Sequence, residues 1–332
     1  MLSCLWLSWR VCHRGISSSS GLGISSSVTL LLAATVGGLA HGSFLLFYPA
    51  LLVWALAESR NRFINILALL PGLVSLGAQY LLFYRTISHG TGPLKSTLQV
   101  VIDTLSVLGG GPETTEYSTL ANSWALIAMF LVLCLMLFEI VALAKVGRRE
   151  WIFFVVVILL MPMIPYLVRP PRVVFVRYFL PSMLMAMILL GGALQRIFNR
   201  DFGGQVVASI LAFVILAGGM VSSLRLWQYA RGDMVGALRF ITSVQPDGEI
   251  VIGGENPFRD KLLIGFHLRK ISGGERIIYQ DRDAAQWRIV YNQDPYYTPP
   301  TKLEDGRFTL VADYPSAALS GTGVYLYRRR SS

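Results

Sequence analysis

Three arginines, Arg169, Arg172 and Arg177, lie close together directly before a long uncharged run, the seventeen residues from Tyr178 to Leu194. A cation inside hydrocarbon costs roughly 2.5–3.5 kcal/mol at a helix centre, so such groups lie at the membrane interface or in a wet cavity. The cluster therefore indicates a place where an anion is held at a membrane surface. The same charges also fit a snorkelling cluster that only sets the topology, and charge alone does not separate the two interpretations.

Prolines surround the three arginines: Pro162, Pro165, Pro170, Pro171 and Pro181. Proline fixes the backbone φ angle and removes a hydrogen-bond donor, so we predict a short, stiff connection between two apolar runs. Tyr178 directly follows Arg177 and is a candidate to share in binding a phosphate or sugar. Tyrosine is also an ordinary anchor at membrane interfaces, so this second interpretation stays open.

Three further ionisable residues lie in or beside apolar segments. His41 has no second histidine or carboxylate at ligand spacing, so we predict no metal site and favour a hydrogen bond to a backbone carbonyl at a helix break. Asp103 lies on the polar side of a predicted helix, where a catalytic base could act, but a solvated helix face is the favoured interpretation. Glu139 lies inside an apolar run, where a carboxylate is a functional candidate by default. It precedes Lys145 by only six residues, which favours an interfacial role.

The composition is that of an integral membrane protein, because 54% of the residues are hydrophobic and only 14% are charged. The net charge of +10 lies mainly in the first 224 residues, with 14 basic and 7 acidic residues, against 15 and 12 in the rest. Basic loops of this kind set membrane orientation and meet anionic head groups, and no basic stripe predicts nucleic-acid binding. Cys4, Cys12 and Cys134 form no CxxC pair, so neither a disulfide framework nor a zinc site is predicted.

The apolar runs predict six or seven transmembrane helices. Residues 28–57 carry no charge and allow either one tilted helix or two short helices that meet near His41. Five more runs follow, at residues 63–84, 124–144, 151–168, 178–194 and 203–224. Counting Lys and Arg in the loops gives nine against seven whether the first run crosses once or twice, so charge does not decide the orientation.

The segments outside these runs predict three further parts. Residues 1–27 resemble the remnant of a truncated helix followed by a cytoplasmic link, because charge follows the apolar stretch instead of preceding it as in a signal peptide. Residues 94–108 predict an uncapped amphipathic loop helix that ends at Gly109. Such a helix could lie on the membrane surface or act as a lid over a cavity, and we favour a third position, packed against the protein. Residues 231–332 predict a small soluble α/β domain. It begins with a helix capped by Asp233 and continues with strands near residues 249–253, 276–280, 287–291, 307–311 and 323–327.

Several stretches resemble one family in the same order. The segment VRYFLPSMLMAMILLGGAL (176–194) is similar to the RYxLP-containing helix in the C-terminal half of GT-C glycosyltransferases, in the group of dolichyl-phosphate-mannose protein mannosyltransferases and aminoarabinose transferases. LLLAATVGGLAHGSFLLFYPALLVWAL resembles that family's small-residue helix and the apolar helix after it. DMVGALRFITSVQPDGEIVIGG and the closing GVYLYRRR resemble its segments after the membrane part. The resemblance covers residues 28–330.

This resemblance implies a polytopic α-helical membrane enzyme with a small extracytoplasmic C-terminal α/β domain. It implies transfer of a sugar from a polyprenyl-phosphate donor to an envelope glycan, lipid or protein acceptor, with no metal or other cofactor. The first apolar run would then cross twice, and Arg169, Arg172, Arg177 and Tyr178 would lie on the outer side and hold the carrier phosphate. Guanidinium groups suit phosphate because they bind it bidentately, and neutralising a leaving phosphate assists glycosyl transfer.

The chain departs from the family pattern at the catalytic acid. The family carries an acidic residue in its first extracytoplasmic loop, and no position of this sequence matches it. We therefore expect a truncated reading frame, with a split enzyme or a chain that has lost catalysis as alternatives. The alternative from another class is a non-catalytic polytopic membrane protein, such as a transporter or a polysaccharide-assembly subunit. The matched halves expected of many transporters are not seen in the sequence.

Overall fold

The computed structural model describes most of the chain, namely residues 2–16, 22–41, 44–58, 61–83, 96–160, 162–163, 179–229, 232–255, 257–280, 284–292, 294, 296–303, 306–317 and 322–330. The chain divides into two compact units. Unit 1 comprises Met1–His89, Leu94–Gly109 and Ile127–Ile215, and unit 2 comprises Gly90–Pro93, Gly110–Leu126 and Leu216–Ser332.

The described residues form eleven α-helices. They are α1 (Leu2–Ile16), α2 (Ile24–Ala40), α3 (Phe44–Ala57), α4 (Arg62–Leu82), α5 (Thr97–Leu108), α6 (Thr119–Lys145), α7 (Glu150–Val155), α8 (Leu180–Phe198), α9 (Phe202–Tyr229), α10 (Met234–Val244) and α11 (Pro257–Leu268), with a π-helical turn at Val156–Leu160 after α7. Four helices are long and apolar enough to cross a membrane: α4, α6, α8 and the helix that begins at Phe202. The protein is therefore mostly helical and compatible with membrane insertion.

The first long apolar run forms two helices that separate at His41. The backbone N–H of His41 donates to the carbonyl of Gly37 at 3.0 Å and closes α2, and its own carbonyl accepts from the N–H of Phe44 at the start of α3. Helix α2 runs parallel to α4. Near the start of both helices the Leu22 N–H donates to the Asn65 side-chain oxygen, and further along both helices the hydroxyls of Thr35 and Ser75 are hydrogen-bonded. The chain therefore reverses twice within α2, α3 and α4, and the two-helix alternative for this run is confirmed.

Small residues allow these three helices to approach closely. A Cβ atom on Gly72 of α4 would lie 2.2 Å from the hydroxyl oxygen of Tyr48, a fully buried residue of α3. A Cβ on Gly38 of α2 would likewise lie 2.3 Å from the Gln79 side-chain oxygen. Without a Cβ at these positions, neighbouring side chains can lie directly against the helix backbone, which increases van der Waals contact between apolar helices.

The N-terminal segment is more helical than predicted. Helix α1 continues through Arg10, His13 and Arg14 to Ile16, and α2 already includes Ser25 to Ser27. The link predicted between the first helix and the first long apolar run is therefore partly helical, because α2 already begins at Ile24. Its central part, residues 17–21, lies outside them.

Helix α5 is amphipathic as predicted, but its burial differs from the expected one. Asp103 and Ser106 are fully buried, whereas Leu98 is 70% exposed. The expectation of a solvated Asp103 is therefore wrong. The helix packs against α8, and the apolar residues Val100 and Leu108 are buried together with these polar residues. The Ser96 hydroxyl caps α5 by accepting from the N–H of Gln99, so the expectation of an uncapped helix is also wrong.

Unit 2 contains a six-stranded mixed sheet. Its strands are β1 (Ile250–Gly254), β2 (Ile277–Tyr279), β3 (Trp287–Asn292), β4 (Lys302–Leu303), β5 (Phe308–Tyr314) and β6 (Gly323–Arg329), in the spatial order β2-β1-β3-β6-β5-β4. Strand β1 pairs in parallel with β2 and β3, and the other pairs are antiparallel. Five of the six strands were predicted, and the Asp233 cap of α10 is confirmed by its bond to the Gly236 N–H at 2.7 Å. The two-residue β4 was missed.

A row of tyrosines lies in unit 2. The ring of Tyr297 packs edge-on against those of Tyr117 and Tyr325, at centroid distances of 5.5 and 5.1 Å. Burial, together with the nearby tyrosines and carboxylates, raises the pKa of Tyr325 to about 12. The neutral phenol is therefore the form that the folded unit favours.

Gly72 and Gly77 provide a matched test of the packing between α3 and α4. We expect Gly72→Ala to lower the free energy of unfolding by about 1–3 kcal/mol, because its methyl group overlaps Tyr48. Gly77 lies in the same helix and a Cβ there meets nothing within 4 Å. Gly77→Ala should therefore be neutral or stabilise by up to about 1 kcal/mol. Thermal unfolding of both variants in detergent measures this, and equal effects would contradict the packing.

Tyr325 makes the stability of unit 2 sensitive to alkali. An unfolded tyrosine ionises near pH 10, whereas folded Tyr325 stays neutral up to about pH 12. Its stabilising contribution is thus fully present below about pH 10 and is lost as the pH rises through about 12. Circular dichroism of the whole chain against pH should show this loss, and Tyr325→Phe should reduce it. An alkaline transition that is unchanged in the variant would exclude the assignment.

Candidate functional site

The candidate site is a cavity of about 760 Å³ within unit 1, lined by α1, α6, α7 and α8. Five ionisable side chains line it: His13, Glu139, Arg148, Glu150 and Arg196. Charged groups in a largely apolar helical unit are costly unless paired, so their arrangement decides what the cavity can bind.

Glu139 of α6 forms a bidentate ion pair with Arg196 of α8. The Arg196 Nε and Nη2 atoms donate to the two carboxylate oxygens at 2.9 and 2.8 Å. The Glu139 side chain is 6% exposed and the Arg196 side chain is 36% exposed. Gly192 of α8 leaves room for the carboxylate, since a Cβ there would lie 3.2 Å from Glu139 Oε1. The pair therefore joins two apolar helices with its anion buried and its cation at the rim.

A second cluster joins the beginning of α7 to α1. Arg148 Nη2 donates to both oxygens of Glu150 at 2.6 and 2.8 Å, and His13 Nε2 lies 3.3 Å from Glu150 Oε1. Hydrogen bonds from Arg148 and the nearby His13 ring thus surround the Glu150 carboxylate. Glu150 is therefore not placed as a free proton donor.

Aromatic rings support the histidine of this cluster. The His13 ring lies 5.1 Å from that of Trp9 and 6.5 Å from that of Trp54, between ring centroids. Trp54 in turn packs on Phe153 at 5.5 Å. Because Trp54 and Phe153 are fully buried, these rings limit the positions that His13 can adopt.

The arrangement favours anion binding over proton transfer. Both carboxylates are paired with cations, so neither is placed as a free acid or base. Arg148 and Arg196 are each at least one-third exposed and retain N–H groups that their carboxylates do not use. A phosphate or carboxylate ligand entering the cavity would meet these donors.

Several helix ends of unit 1 bring cations together, and we name this region the basic end: Lys145, Arg148, Arg149, Arg196 and Arg200. Arg148 contacts His13 near the end of α1, and Arg149 donates to the carbonyl of Ala57 at the end of α3. Arg196 lies in the last turn of α8. The basic end is therefore formed from α1, α3, α6, α7 and α8 together.

The residues proposed from sequence have mixed outcomes. Arg169, Arg172, Arg177 and Tyr178 lie outside the described residues. His41 lies at the break between α2 and α3, and Asp103 is buried in α5. Neither lines the cavity described above. Within the described part of the chain, no group of three or more His, Cys, Asp or Glu side chains could hold a metal ion.

Sequence reasoning missed the residues that line the cavity. Glu139 was assigned an interfacial role near Lys145, and its partner Arg196 was counted only as a loop charge. The partners are 57 positions apart, so no local spacing reveals the pair. The available signal was a carboxylate inside an apolar run, which requires a cationic partner on another helix.

The ion pair between Glu139 and Arg196 should respond unequally to loss of either partner. Arg196→Met leaves a buried carboxylate unpaired and should destabilise the protein by about 3–5 kcal/mol. Glu139→Gln leaves an arginine that reaches solvent and should cost less, roughly 1–3 kcal/mol. The double variant should recover part of the loss. Thermal unfolding in detergent is the measurement, with exposed Arg10→Gln as the control, and equal losses in the two single variants would contradict this asymmetry.

No protein-family model matches this chain, and no curated protein matches it significantly. The relation to GT-C glycosyltransferases therefore depends on the sequence stretches quoted above and stays a prediction.

Proposed function

We propose that the chain is the C-terminal half of a GT-C type membrane glycosyltransferase and that it binds a polyprenyl-phosphate sugar. The observation that carries this proposal is the RYFLP sequence at the start of α8. The helix begins at Leu180, and Pro181 lies in its first turn, where proline is favoured because its missing N–H is not needed. Arg177 precedes Leu180 by three residues. Three arginines before a helix N-terminus provide positive charge in a region that already favours anions.

The geometry of the flanking helices supports an outer position for this segment. Helix α7 starts at the basic end with Glu150, and α8 finishes there with Arg196. The Ser182 hydroxyl donates to the Val157 carbonyl at 2.7 Å, so the far ends of the two helices meet. Leu160 and Leu180 therefore lie away from the basic end within unit 1. If the basic end faces the cytoplasm, the connection that carries the arginines belongs to the outer side.

The proposed topology has seven crossings. Besides the four long apolar helices, α2, α3 and the segment Glu150–Leu160 are shorter apolar helices. The reversal at His41 supports two crossings in the first run. This count agrees with an orientation in which the basic end faces the cytoplasm. The C-terminal α/β domain is then extracytoplasmic, beside a plasma or inner membrane.

In this proposal the arginines act on the leaving group. Transfer breaks the bond between the sugar anomeric carbon and the carrier phosphate oxygen, and an acceptor nucleophile forms the new bond. Arg169, Arg172 and Arg177 neutralise the charge that develops on the phosphate, and Tyr178 contacts the phosphate or sugar. No position of this chain is assigned as the catalytic acid or base.

A non-catalytic lipid-binding membrane protein is the second candidate. The ion pairing of Glu139 and Glu150 favours it, because the cavity of unit 1 then offers anion-binding groups and no free carboxylate. The two candidates share binding of a phosphorylated lipid and differ in whether the sugar is transferred.

Replacing Arg177 tests the shared step. We expect Arg177→Ala to weaken binding of a polyprenyl monophosphate by about tenfold or more, since a hydrogen bond to a charged group contributes roughly 1.5–3 kcal/mol. Binding to the purified full chain in detergent is the measurement. Arg10→Ala removes an exposed cation from the same unit and should leave binding unchanged. Equal affinity of the Arg177 variant and the unmodified protein would remove the proposed role of the cluster.

A further inference from the structure

A second groove lies on the face of α6 that carries Cys134, Leu137, Phe138 and Val141. It has a volume of about 460 Å³, and Lys145, Arg196 and Arg200 line it together with these residues. From Cys134 to Lys145 the helix rises by about 16 Å, at 1.5 Å per residue. The groove is therefore long, apolar on its floor and basic at one end.

Neighbouring groups hold two of the three cations in place. Arg196 is fixed by its bidentate bond to Glu139, and the Arg200 guanidinium lies 5.2 Å from the ring centre of Phe138. The three cations outnumber the two nearby carboxylates, Glu139 and Asp201, which leaves a local charge of +1. The nearby carboxylate of Asp201 accepts from the N–H of Gly204 at 2.6 Å and so caps the start of α9.

We propose that this groove binds an anionic glycerophospholipid, with the phosphate at Lys145 and Arg200 and one acyl chain along α6. Two observations on the floor support a hydrocarbon occupant, since Leu137 is 62% exposed and Val141 is 41% exposed. Basic pockets at the ends of membrane helices match anionic head groups. A zwitterionic head group adds a cation, which these three basic side chains repel.

This proposal goes beyond the proposed function and assigns a different lipid to a different end of unit 1. The groove opens at the basic end, which Arg200 and Lys145 help to form, whereas the sugar carrier is assigned to the connection between Leu160 and Leu180. Failure of one assignment leaves the other intact, because the two sites share no residue.

Cys134 provides a direct probe, because it is exposed and lines the groove. In a Cys4→Ser background, Cys12 is buried and Cys134 is the accessible thiol among those that the structure describes. We expect phosphatidylglycerol, added to the full chain in detergent, to slow alkylation of Cys134, and phosphatidylcholine to have little effect. Native mass spectrometry should show one retained phosphatidylglycerol molecule.

Matched variants distinguish lipid binding in the groove from nonspecific attraction of the lipid to positive charge on the protein. Lys145→Gln/Arg200→Gln should raise the phosphatidylglycerol concentration for half-protection by roughly 30-fold, from about fivefold per cation. Arg10→Gln should leave it unchanged. Val141→Trp keeps the cations but fills the floor, and should remove the retained lipid in mass spectrometry. Thermal unfolding shows whether each variant is folded.

Three results would overturn the proposal. They are equal protection by phosphatidylcholine, retention of phosphatidylglycerol by a folded Lys145→Gln/Arg200→Gln variant at the original affinity, and protection by a polyprenyl monophosphate at the same concentration. The last result would show that the groove takes the sugar carrier. In the Arg177→Ala variant, phosphatidylglycerol should protect Cys134 from alkylation as well as it does in the unmodified protein, whatever the affinity of that variant for the sugar carrier.

Discussion

The requirement that a carboxylate inside an apolar helix must be neutralised governs the arrangement of unit 1. Helix α6 is apolar around most of its surface, and apolar contact alone does not fix how such a helix is rotated or how deep it lies. Glu139 removes that freedom, because its two oxygens must face the guanidinium of Arg196. Pairing of buried charges contributes little net stability but strongly disfavours arrangements that separate them. The pair therefore acts chiefly as a specificity device for the position of α6 against α8.

The same arginine lines both the cavity and the groove described above. Arg196 lines the cavity between α1, α6, α7 and α8, and it also lines the groove on the outer face of α6. Its bonds to Glu139 use one edge of the guanidinium and leave the remainder at the rim. A single buried carboxylate thus positions a cation for two surfaces, and Gly192 makes this possible by leaving space beside the carboxylate.

Local signals in the sequence predicted elements well and long-range pairing poorly. The Asp233 cap, five strands and the alternative break at His41 follow from residue types within a few positions of one another. The burial of Asp103 could not be read in the same way. The polar and apolar positions of α5 are both clear from sequence, but which of them are covered depends on α8, which lies about 80 residues later. The partner of Glu139 was hidden for the same reason, since several arginines at helix ends could have filled that role.

The π-helical turn after α7 has a consequence for how α7 and α8 are joined. A wider turn leaves carbonyl groups available to outside donors, and the Val157 carbonyl in this turn accepts the hydroxyl of Ser182. In a regular α-helix that carbonyl would bond to the N–H four residues later. The irregular turn thus gives up part of one helix's internal bonding and uses it to fasten that helix to its neighbour.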